Sequence, residues 1–589
     1  MSTKSPNNKT YTRPLLVGGL MLPSLIWIFS VFVVNPVGNF PLADDLGYGA
    51  TVKHLLGTGE YEPQGVVQAP MITNILWGAL FCLPAGFSFT ALRVSTLVAS
   101  LAGIFATYFV IQKLTKNLDY ASLGALSLAT NPTYLGTSFT FDTDVLFVTI
   151  LTVSIFLYIR ALSSEAYLSY VSAIVLSILA TLSRQIAVVI PVAYLVTSLC
   201  RPGRTYKAVV RSIAPTLACA SAYLIFRAVM LHEGKIPTFT EWHTQLILNS
   251  IRHPASMMRI LPNHLAVCTA YLGLFSFPAA FPFFSVGPYC RDRKRASRLL
   301  ISGLAILLLV GMFLTRPPNS EHPDLDDLTS AGTFRPLVPV GDFLNVWGIG
   351  WPSALLSRQP PGMLMLFWAI IMALGTIAGA ALIIYIINSL RHYVRDLRSS
   401  ESQREFLSSN FRNIFLLLSV VFYCIPLLLG NIWDRYFIPL IPILVMLFAS
   451  EIEGVTAVTP FLRPKWVTTA SVGLSLLIGA ASIASTRDFL MYNRVNWDAL
   501  QELMIKDHVP SGNIEGGYEF DWFYSSNIPP WTPARHAELT LMVRKQHRDT
   551  YIASTTEQAD YDVLRRYSYF QWLPPRNQTV FVLHKRAGN

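Results

Sequence analysis

The chain has 589 residues, of which 52% are hydrophobic and 13% are charged, and its mean hydropathy is +0.44. A soluble protein carries about 25% charged residues, so this composition excludes an ordinary water-soluble enzyme. The formal net charge of +11 does not indicate a nucleic-acid partner, because the basic residues cluster in short segments between apolar runs.

Apolar runs of membrane-spanning length follow one another along the chain. We predict about thirteen of them, near residues 15–34, 91–112, 120–138, 145–162, 167–183, 186–200, 212–230, 264–287, 299–314, 362–389, 413–430, 436–452 and 467–485. The stretch 71–88 is ambiguous, and we predict that it is a juxtamembrane or re-entrant helix. The expected fold class is an all-α polytopic membrane protein.

The loop charges orient these predicted spans. If 71–88 does not cross, the inward segments carry 22 Lys and Arg, whereas the longer outward loops carry about ten. This positive-inside pattern places the N-terminus inside and the loop 35–90 outside. The C-terminal tail is then also outside.

The chain is predicted to have two parts: a catalytic membrane domain, residues 1–485, and an external C-terminal domain, residues 486–589. In the second part, WDALQELMIKDHV is typical of an amphipathic helix. GGYEFDWFYS and TVFVLHKR are predicted strands, separated by Pro-rich turns. These patterns indicate a small α/β domain.

Acidic residues occur at the predicted outer ends of two spans. Asp44 and Asp45 follow the first span, and Asp142 and Asp144 open the fourth. Acids at a membrane edge tend to face a water-filled cavity and to carry out chemistry. Helix N-capping is the alternative for both groups, although capping needs only one acid of the first pair. Two acidic groups on one side favour an outward-facing active site.

Basic residues occupy comparable outer positions. Arg184 interrupts an apolar stretch between two spans, and Arg435, followed by Tyr436, opens a later span. Each arginine is either an interfacial anchor or a ligand for a phosphate, whose geometry suits the paired donors of a guanidinium. The six cysteines show no CxxC spacing, so neither a disulfide framework nor a cysteine metal site is predicted.

The order of these features resembles the GT-C glycosyltransferases. The similarity is greatest to the branch containing protein O-mannosyltransferases and the lipid A aminoarabinose or galacturonic acid transferases. The stretches that carry it are PLADDLGYG, VVQAPMITNILWGAL, FTFDTDVLFVTI, LSRQIAVVIP and DRYFIPLIP. Together they cover the membrane part as far as residue 445.

The resemblance implies an inverting glycosyltransferase with a GT-C fold. Its donor would be a polyprenyl-phosphate sugar, and its acceptor a glycolipid, a glycan or a protein on the outer face. By position, Asp44 matches the catalytic base, Asp45 its acidic neighbour and Asp144 the second acid. Arg184 matches the basic residue near the lipid phosphate.

Four further residues complete the predicted substrate site: Asp142, Arg435, Tyr436 and Gln68. Some relatives have at the position of Gln68 an acid that helps to bind a divalent metal. Glutamine is a poor replacement for that acid, so no cofactor is assigned and a divalent metal is left open.

Two other functions compete with glycosyl transfer. A transporter or flippase of a lipid-linked or acidic substrate would use the acids for proton coupling, but no repeat of spans in two halves is visible. The second alternative is a ligase that joins long glycans to lipid, which uses the same class of chemistry as a glycosyltransferase. The expected location is a bacterial inner membrane with a periplasmic active site, and an endoplasmic reticulum membrane with a luminal site would give a similar sequence.

Overall fold

The computed structural model describes fifteen parts of the chain, which are residues 13–42, 44–64, 67, 70–164, 166–201, 205–236, 238–286, 301–306, 343–345, 348–349, 362–398, 403–430, 432–458, 465–524 and 550–586. The first helices are α1 (Arg13–Val34), α2 (Asp45–Thr58), α3 (Ile72–Cys82), α4 (Phe89–Thr115), α5 (Leu118–Ala129), α6 (Pro132–Thr137), α7 (Asp144–Ser164), α8 (Tyr167–Ser183) and α9 (Val189–Leu199). The later ones are α10 (Tyr206–His232), α11 (Thr238–Arg252), α12 (Pro254–Val286), α13 (Gly362–Arg398), α14 (Gln403–Leu429), α15 (Leu440–Val458), α16 (Lys465–Lys506) and α17 (Tyr518–Tyr524).

Many of these helices are long and apolar enough to cross a membrane. By length and composition, 7 helices of the described residues qualify: Phe89–Thr115, Asp144–Ser163, Tyr206–His232, Leu261–Phe283, Leu366–Arg395, Asn410–Leu429 and Trp466–Lys506. Shorter apolar helices are Gly19–Val34, Ile72–Cys82, Tyr167–Ser183 and Gln185–Leu199. The prediction of an all-α polytopic membrane protein is confirmed, and the protein is an integral membrane protein.

Several predicted spans differ from the helices observed. The predicted span 120–138 is interrupted at Asn131, whose side chain accepts a hydrogen bond from the Tyr134 amide (3.0 Å) and starts α6 as a new helix. A capping asparagine in an apolar run therefore divides one predicted span into two short helices. Most of the predicted span 299–314 lies outside the described residues.

The ambiguous stretch 71–88 contains the short helix α3. Its 11 residues are about 16 Å long, roughly half the thickness of the hydrocarbon core. A helix of this length fits the predicted juxtamembrane or re-entrant segment. The sidedness of the loops stays a prediction.

The C-terminal region is built on α16, which has 42 residues and continues past residue 485 without a break. The predicted boundary between 485 and 486 therefore falls inside a helix. Residues 497–506 of the predicted amphipathic helix WDALQELMIKDHV form the end of α16, and its last three residues lie beyond the helix. The two-part division of the chain stays a prediction.

The predicted strand GGYEFDWFYS is wrong, because this stretch forms the helix α17. Phe520, Phe523 and Tyr524 all contact the Trp497 ring, with ring centroids 5.5 Å, 5.8 Å and 6.5 Å away. Residues spaced by three and four positions share one face only in a helix. The Asp521 carboxylate also accepts a hydrogen bond from the Gly516 amide (3.0 Å) at the start of this helix.

Two small sheets accompany the helices. The first pairs β1 (Leu344–Asn345) with β2 (Gly348–Ile349), antiparallel. The second contains β3 (Ile514–Glu515), β4 (Tyr551–Ser554), β5 (Tyr561–Gln571) and β6 (Arg576–Lys585), in the order β3-β4-β6-β5. Strand β6 confirms the predicted strand TVFVLHKR.

The C-terminal sheet shares its core with the segment that leads to the first acids. Val580 and Val582 of β6 belong to the same buried apolar cluster as Trp497 of α16. Phe40 and Leu42, just before Asp44, belong to this cluster too. The C-terminal region is therefore packed against the chain that enters the acidic pair.

Candidate active site

The predicted site residues come from four separate places in the chain. Asp44 immediately precedes α2, Asp142 and Asp144 lie at the start of α7, Arg184 ends α8, and Arg435 lies in the 3₁₀ turn Asp434–Phe437. The structure brings these five residues together, and we call them the acid–arginine cluster. Sequence reasoning predicted every member of it.

Arg435 is the centre of this cluster. Its Nη2 lies 2.7 Å from Asp44 Oδ2. Its Nη1 lies 3.5 Å from Asp142 Oδ1 and 4.0 Å from Asp144 Oδ2. One guanidinium thus connects the three carboxylates, and its side chain is only 4% exposed. Without such a cation, three neighbouring carboxylates would repel one another in a poorly solvated place.

Arg184 contacts both carboxylate oxygens of Asp144. Its Nη1 lies 2.7 Å from Asp144 Oδ1, and its Nη2 donates to Asp144 Oδ2 at 3.0 Å. Its Nε donates to Thr143 Oγ1 (2.7 Å). The guanidinium also lies over the Tyr436 ring, 5.1 Å from the centroid. This fork geometry is specific to arginine and fixes the Asp144 carboxylate.

A second layer of polar contacts supports this pair, and sequence reasoning missed it. The Asn74 amide nitrogen donates to the Thr143 carbonyl (3.3 Å), and the Ser183 hydroxyl donates to the Asn74 side-chain oxygen (2.6 Å). Ser183 directly precedes Arg184 in the chain. Helix α3 therefore joins the start of α7 to the end of α8, which explains why the ambiguous stretch 71–88 lies beside the site.

Asp44 differs from the other acids in its exposure. Its side chain is 19% exposed, whereas the Asp142 and Asp144 side chains are 0% exposed. Asp44 occupies the N-cap position of α2 but makes no side-chain capping hydrogen bond. Capping therefore does not account for its carboxylate, which contacts Arg435 instead. Asp44 is the acid of the cluster that an external molecule can reach.

Asp45 faces a different environment from its neighbour. It is fully buried, and its Oδ1 accepts a hydrogen bond from the Leu42 amide. Burial raises the pKa of Asp45 well above its ordinary value, although the nearby Arg93 and the Leu42 amide partly offset this effect. The geometry gives Asp45 a part in shaping the loop. A direct part of Asp45 in the chemistry, as the acidic neighbour of the catalytic base, stays a prediction.

Arg93, which sequence reasoning missed, holds the same loop from α4. Its Nη1 donates to the carbonyls of Pro36 (3.3 Å) and Gly38 (2.8 Å), and its Nη2 donates to the Phe40 carbonyl. The guanidinium also lies 4.7 Å from the centroid of the Phe40 ring. The signal available in the sequence was a single arginine in the apolar run FTALRVSTLVAS. In the structure this arginine is fully buried.

The long helix α16 also contacts this loop. Arg494 Nη2 donates to the Asn35 carbonyl (2.8 Å) and to the Val37 carbonyl (3.1 Å). The Trp497 ring stacks on Phe40, with centroids 6.2 Å apart. The C-terminal region thus contributes directly to the position of the segment that carries Asp44.

Asp434 and Tyr436 flank Arg435 and have different contacts. Asp434 is fully buried and accepts hydrogen bonds from the amides of Phe343 (3.2 Å) and Leu344. It thereby fastens the 3₁₀ turn to β1. Tyr436 packs its ring against Arg184. In the triplet Asp434-Arg435-Tyr436, the first residue therefore has a structural role and the second belongs to the acid–arginine cluster. The third supports Arg184 with its ring.

Burial also changes the titration of Asp142. Removal from water raises the pKa of Asp142, and the neighbouring Asp44 and Asp144 raise it further. Arg435 and a hydrogen bond from Thr140 Oγ1 (2.7 Å) act in the opposite direction. Asp142 therefore keeps a proton to a higher pH than an exposed aspartate does.

The described residues do not gather into a metal centre. Among them, no group of three or more His, Cys, Asp or Glu has the geometry to hold a metal ion. The cluster carboxylates contact Arg435 and Arg184. Gln68 lies outside the described residues, so its predicted contact with substrate or metal stays a prediction.

Comparison with known proteins adds a family match. Residues 67–232 match the model of the family described as dolichyl-phosphate-mannose-protein mannosyltransferase. The matched segment contains Asp142, Asp144 and Arg184, whereas Asp44 and Arg435 lie outside it. No curated protein matches the chain.

Two solved structures are similar over most of the chain. ArnT from Cupriavidus metallidurans bound to undecaprenyl phosphate has 12% identity and a TM-score of 0.42, covering 96% of this chain and 98% of that chain. The archaeal oligosaccharyltransferase AglB from Archaeoglobus fulgidus, in complex with an inhibitory peptide and a dolichol-phosphate, has 13% identity and a TM-score of 0.42, covering 92% of this chain and 69% of that chain. Residues 67–232, about a quarter of the chain, are therefore similar to the dolichyl-phosphate-mannose-protein mannosyltransferase family, in agreement with the resemblance carried by the sequence motifs.

Proposed function

We propose that this protein is a glycosyltransferase that moves a sugar from a polyprenyl-phosphate donor to an acceptor on the outer face of the membrane, with inversion. The observation that carries the proposal is the position of Asp44. It is the partly exposed carboxylate of the acid–arginine cluster, and Arg435 orients it through a 2.7 Å contact. An oriented, accessible carboxylate is what a general base needs.

In the proposed reaction the acceptor hydroxyl loses one proton, and its oxygen replaces the phosphate oxygen on the anomeric carbon of the sugar. Arg435 holds Asp44 Oδ2, and in the proposed reaction Oδ1 takes the proton of the acceptor hydroxyl. The acceptor oxygen attacks the anomeric carbon from the side opposite the phosphate. The bond between that carbon and the phosphate oxygen breaks, and its electron pair leaves with the phosphate. Attack from the opposite side inverts the anomeric configuration.

The leaving phosphate gains negative charge as the sugar departs. Fixed cations in a poorly solvated site stabilise such charge more than water does. We propose that Arg435 and Arg184 supply this stabilisation. Arg184 is engaged by Asp144 and Thr143 in this structure, so the phosphate would share or replace one of these contacts.

The remaining predicted residues receive supporting roles. Asp144 and Asp142 balance the charge of the two arginines and fix their orientation before the donor binds. Tyr436 supports the Arg184 guanidinium through its ring. We propose that Asp45 holds Leu42 in place through the Leu42 amide, and that Gln68 contacts substrate. No step of the proposed reaction is assigned to a metal, and a divalent metal is left open.

The expected setting is a bacterial inner membrane with the site on the periplasmic side. A polyprenyl phosphate is embedded in lipid, so its enzyme must be a membrane protein with a site close to the bilayer surface. A glycolipid, a glycan or a protein would be the acceptor. The predicted loop-charge asymmetry supports this orientation.

A reconstituted transfer assay tests the proposal. The purified full chain in proteoliposomes is given a panel of radiolabelled prenyl-phosphate sugars together with candidate acceptor lipids and peptides. We expect transfer with at least one donor, and its loss in Asp44→Asn. Asp507→Asn is the matched control, because Asp507 is an exposed acid that is paired with Arg565 and not with a member of the cluster. Movement of the labelled lipid across the bilayer without any sugar transfer would instead support a flippase.

A further inference from the structure

The hairpin formed by β5 and β6 ends in an apolar tip, residues 570–576, with the sequence FQWLPPR. Three large side chains are well exposed in the described structure: Phe570 by 49%, Trp572 by 42% and Leu573 by 42%. Exposed large apolar side chains that cluster on a surface usually mark an interaction site. The acid–arginine cluster does not use this tip.

The tip is bound to helix α16 at Arg487 and Asp488. The Asp488 carboxylate accepts hydrogen bonds from the amides of Trp572 (2.9 Å) and Leu573 (2.8 Å). Arg487 donates to the Phe570 carbonyl, and its guanidinium lies 4.9 Å from the centroid of the Trp572 ring. Backbone and side-chain contacts together hold the tip beside residues 487–488.

That level coincides with the end of the membrane-crossing part of α16. Residues 466–486 contain no charged side chain, and at 1.5 Å per residue this stretch is about 31 Å long, close to the thickness of the hydrocarbon core. Arg487 and Asp488 are the first charged residues after it. The tip is therefore at the height where the hydrocarbon core ends and the lipid headgroups begin.

The hairpin runs from this level away from the bilayer, alongside α16. Tyr567 donates to Glu502 (2.7 Å), and Arg565 contacts both carboxylate oxygens of Asp507 (2.7 and 2.8 Å). Residues farther from the tip thus contact positions farther along α16. Only the apolar end of the hairpin reaches the level of the membrane surface.

We propose that the tip, residues 570–576, inserts its apolar side chains into the outer interface of the membrane that α16 crosses. Tryptophan is favoured at this interface, since its ring is apolar and its N–H is polar. Arg576, the last residue of the tip, and Arg487 beside it on α16 would face anionic lipid headgroups. The hairpin then fixes the C-terminal sheet at the bilayer, independently of the chemistry proposed for the cluster.

Photocrosslinking with a matched control position tests this proposal. A benzophenone amino acid replaces Phe570 in one variant and Leu564 in another, and each full chain is placed in vesicles of phosphatidylethanolamine and phosphatidylglycerol. The two side chains are equally exposed, at 49% each, and both lie on β5. They are about 20 Å apart along the strand. Size-exclusion chromatography confirms that both variants are folded before irradiation.

We expect phospholipid adducts at position 570 and a several-fold lower yield at position 564. Replacing Trp572 and Leu573 by serine should lower the yield at position 570. Equal yields at the two positions would overturn the proposal, and so would adducts of position 570 with polypeptide alone. Because the readout is a lipid adduct, its failure would leave the proposed sugar transfer unaffected.

Discussion

Arg435 Nη2 lies 2.7 Å from Asp44 Oδ2, which joins the turn before α15 to the start of α2. The same guanidinium contacts Asp142 and lies near Asp144. A single side chain therefore lies within 4.0 Å of all three carboxylates and orients the accessible one. Its removal should affect folding stability and catalysis together.

Arg435→Ala should lower both stability and activity. It leaves buried carboxylates without their cation, and loss of one partner from a buried ion pair costs about 3–5 kcal/mol. Thermal unfolding in detergent measures the change. Arg586→Ala is the control, because its ion pair with Asp562 is exposed and such pairs contribute about 0–1 kcal/mol. An Arg435→Ala protein as stable as this control would show that the contacts of Arg435 with the cluster carboxylates contribute little to the free energy of unfolding.

Arg184→Lys should be impaired but more active than Arg184→Ala. Lysine keeps the charge but cannot make the two-oxygen contact with Asp144 or the Nε contact with Thr143. If Arg184 stabilises charge on the departing phosphate, the loss should appear mainly in kcat. Steady-state kinetics on both variants makes the measurement. Full activity of both, with unchanged donor affinity, would reduce Arg184 to an interfacial anchor.

Asp142 should make donor binding depend on pH. Its pKa is raised by burial, so it becomes protonated as the pH falls through a value above that of an exposed aspartate. Protonated Asp142 competes less for Arg435, and prenyl-phosphate affinity should therefore rise at lower pH. Because the folded-state pKa exceeds the unfolded one, the stability contributed by this group is present at low pH and is lost as the pH rises.

Asp142→Asn should remove this pH dependence. Asparagine resembles the protonated acid and can still accept the hydrogen bond from Thr140. Binding of a prenyl phosphate, measured across the pH range in both proteins, provides the comparison. An unchanged pH profile in Asp142→Asn would assign the titration to another group of the cluster.

Arg494 should act as a positioning residue for the loop that carries Asp44. It donates to the carbonyls of Asn35 and Val37 from α16. Arg494→Ala should lower kcat more than it raises KM, and Arg494→Lys should recover part of the loss through one remaining hydrogen bond. The split between kcat and KM is the informative readout, since a purely structural residue would reduce only the amount of folded enzyme.

The sequence predicted the membrane fold and all five residues of the acid–arginine cluster, because unpaired charges at the ends of apolar runs are rare and costly. It did not reveal that Asp44 and Asp45 have separate environments. That difference depends on Arg93, which lies on α4, far along the sequence from the loop that precedes Asp44, and contacts this loop at Gly38. The helix α17 was mistaken for a strand because its aromatic residues suit both structures, and only packing on Trp497 distinguishes them.

The central claim is that Asp44 takes the proton of the acceptor. Asp44→Asn keeps the size and shape of the side chain but removes the proton acceptor. Loss of a general base lowers the rate by about 10²-fold or more. The protein should remain folded, because the amide oxygen of the substituted side chain can still accept a hydrogen bond from Arg435.

The most direct test is single-turnover transfer by purified Asp44→Asn in proteoliposomes, with saturating prenyl-phosphate sugar, compared with the unmodified chain and with Asp507→Asn. We expect donor binding to persist and the transfer rate to fall by about 10²-fold or more, while Asp507→Asn stays at the normal rate. A folded Asp44→Asn protein with a near-normal transfer rate would contradict the account and would direct attention to Asp45 or Asp144 as the base.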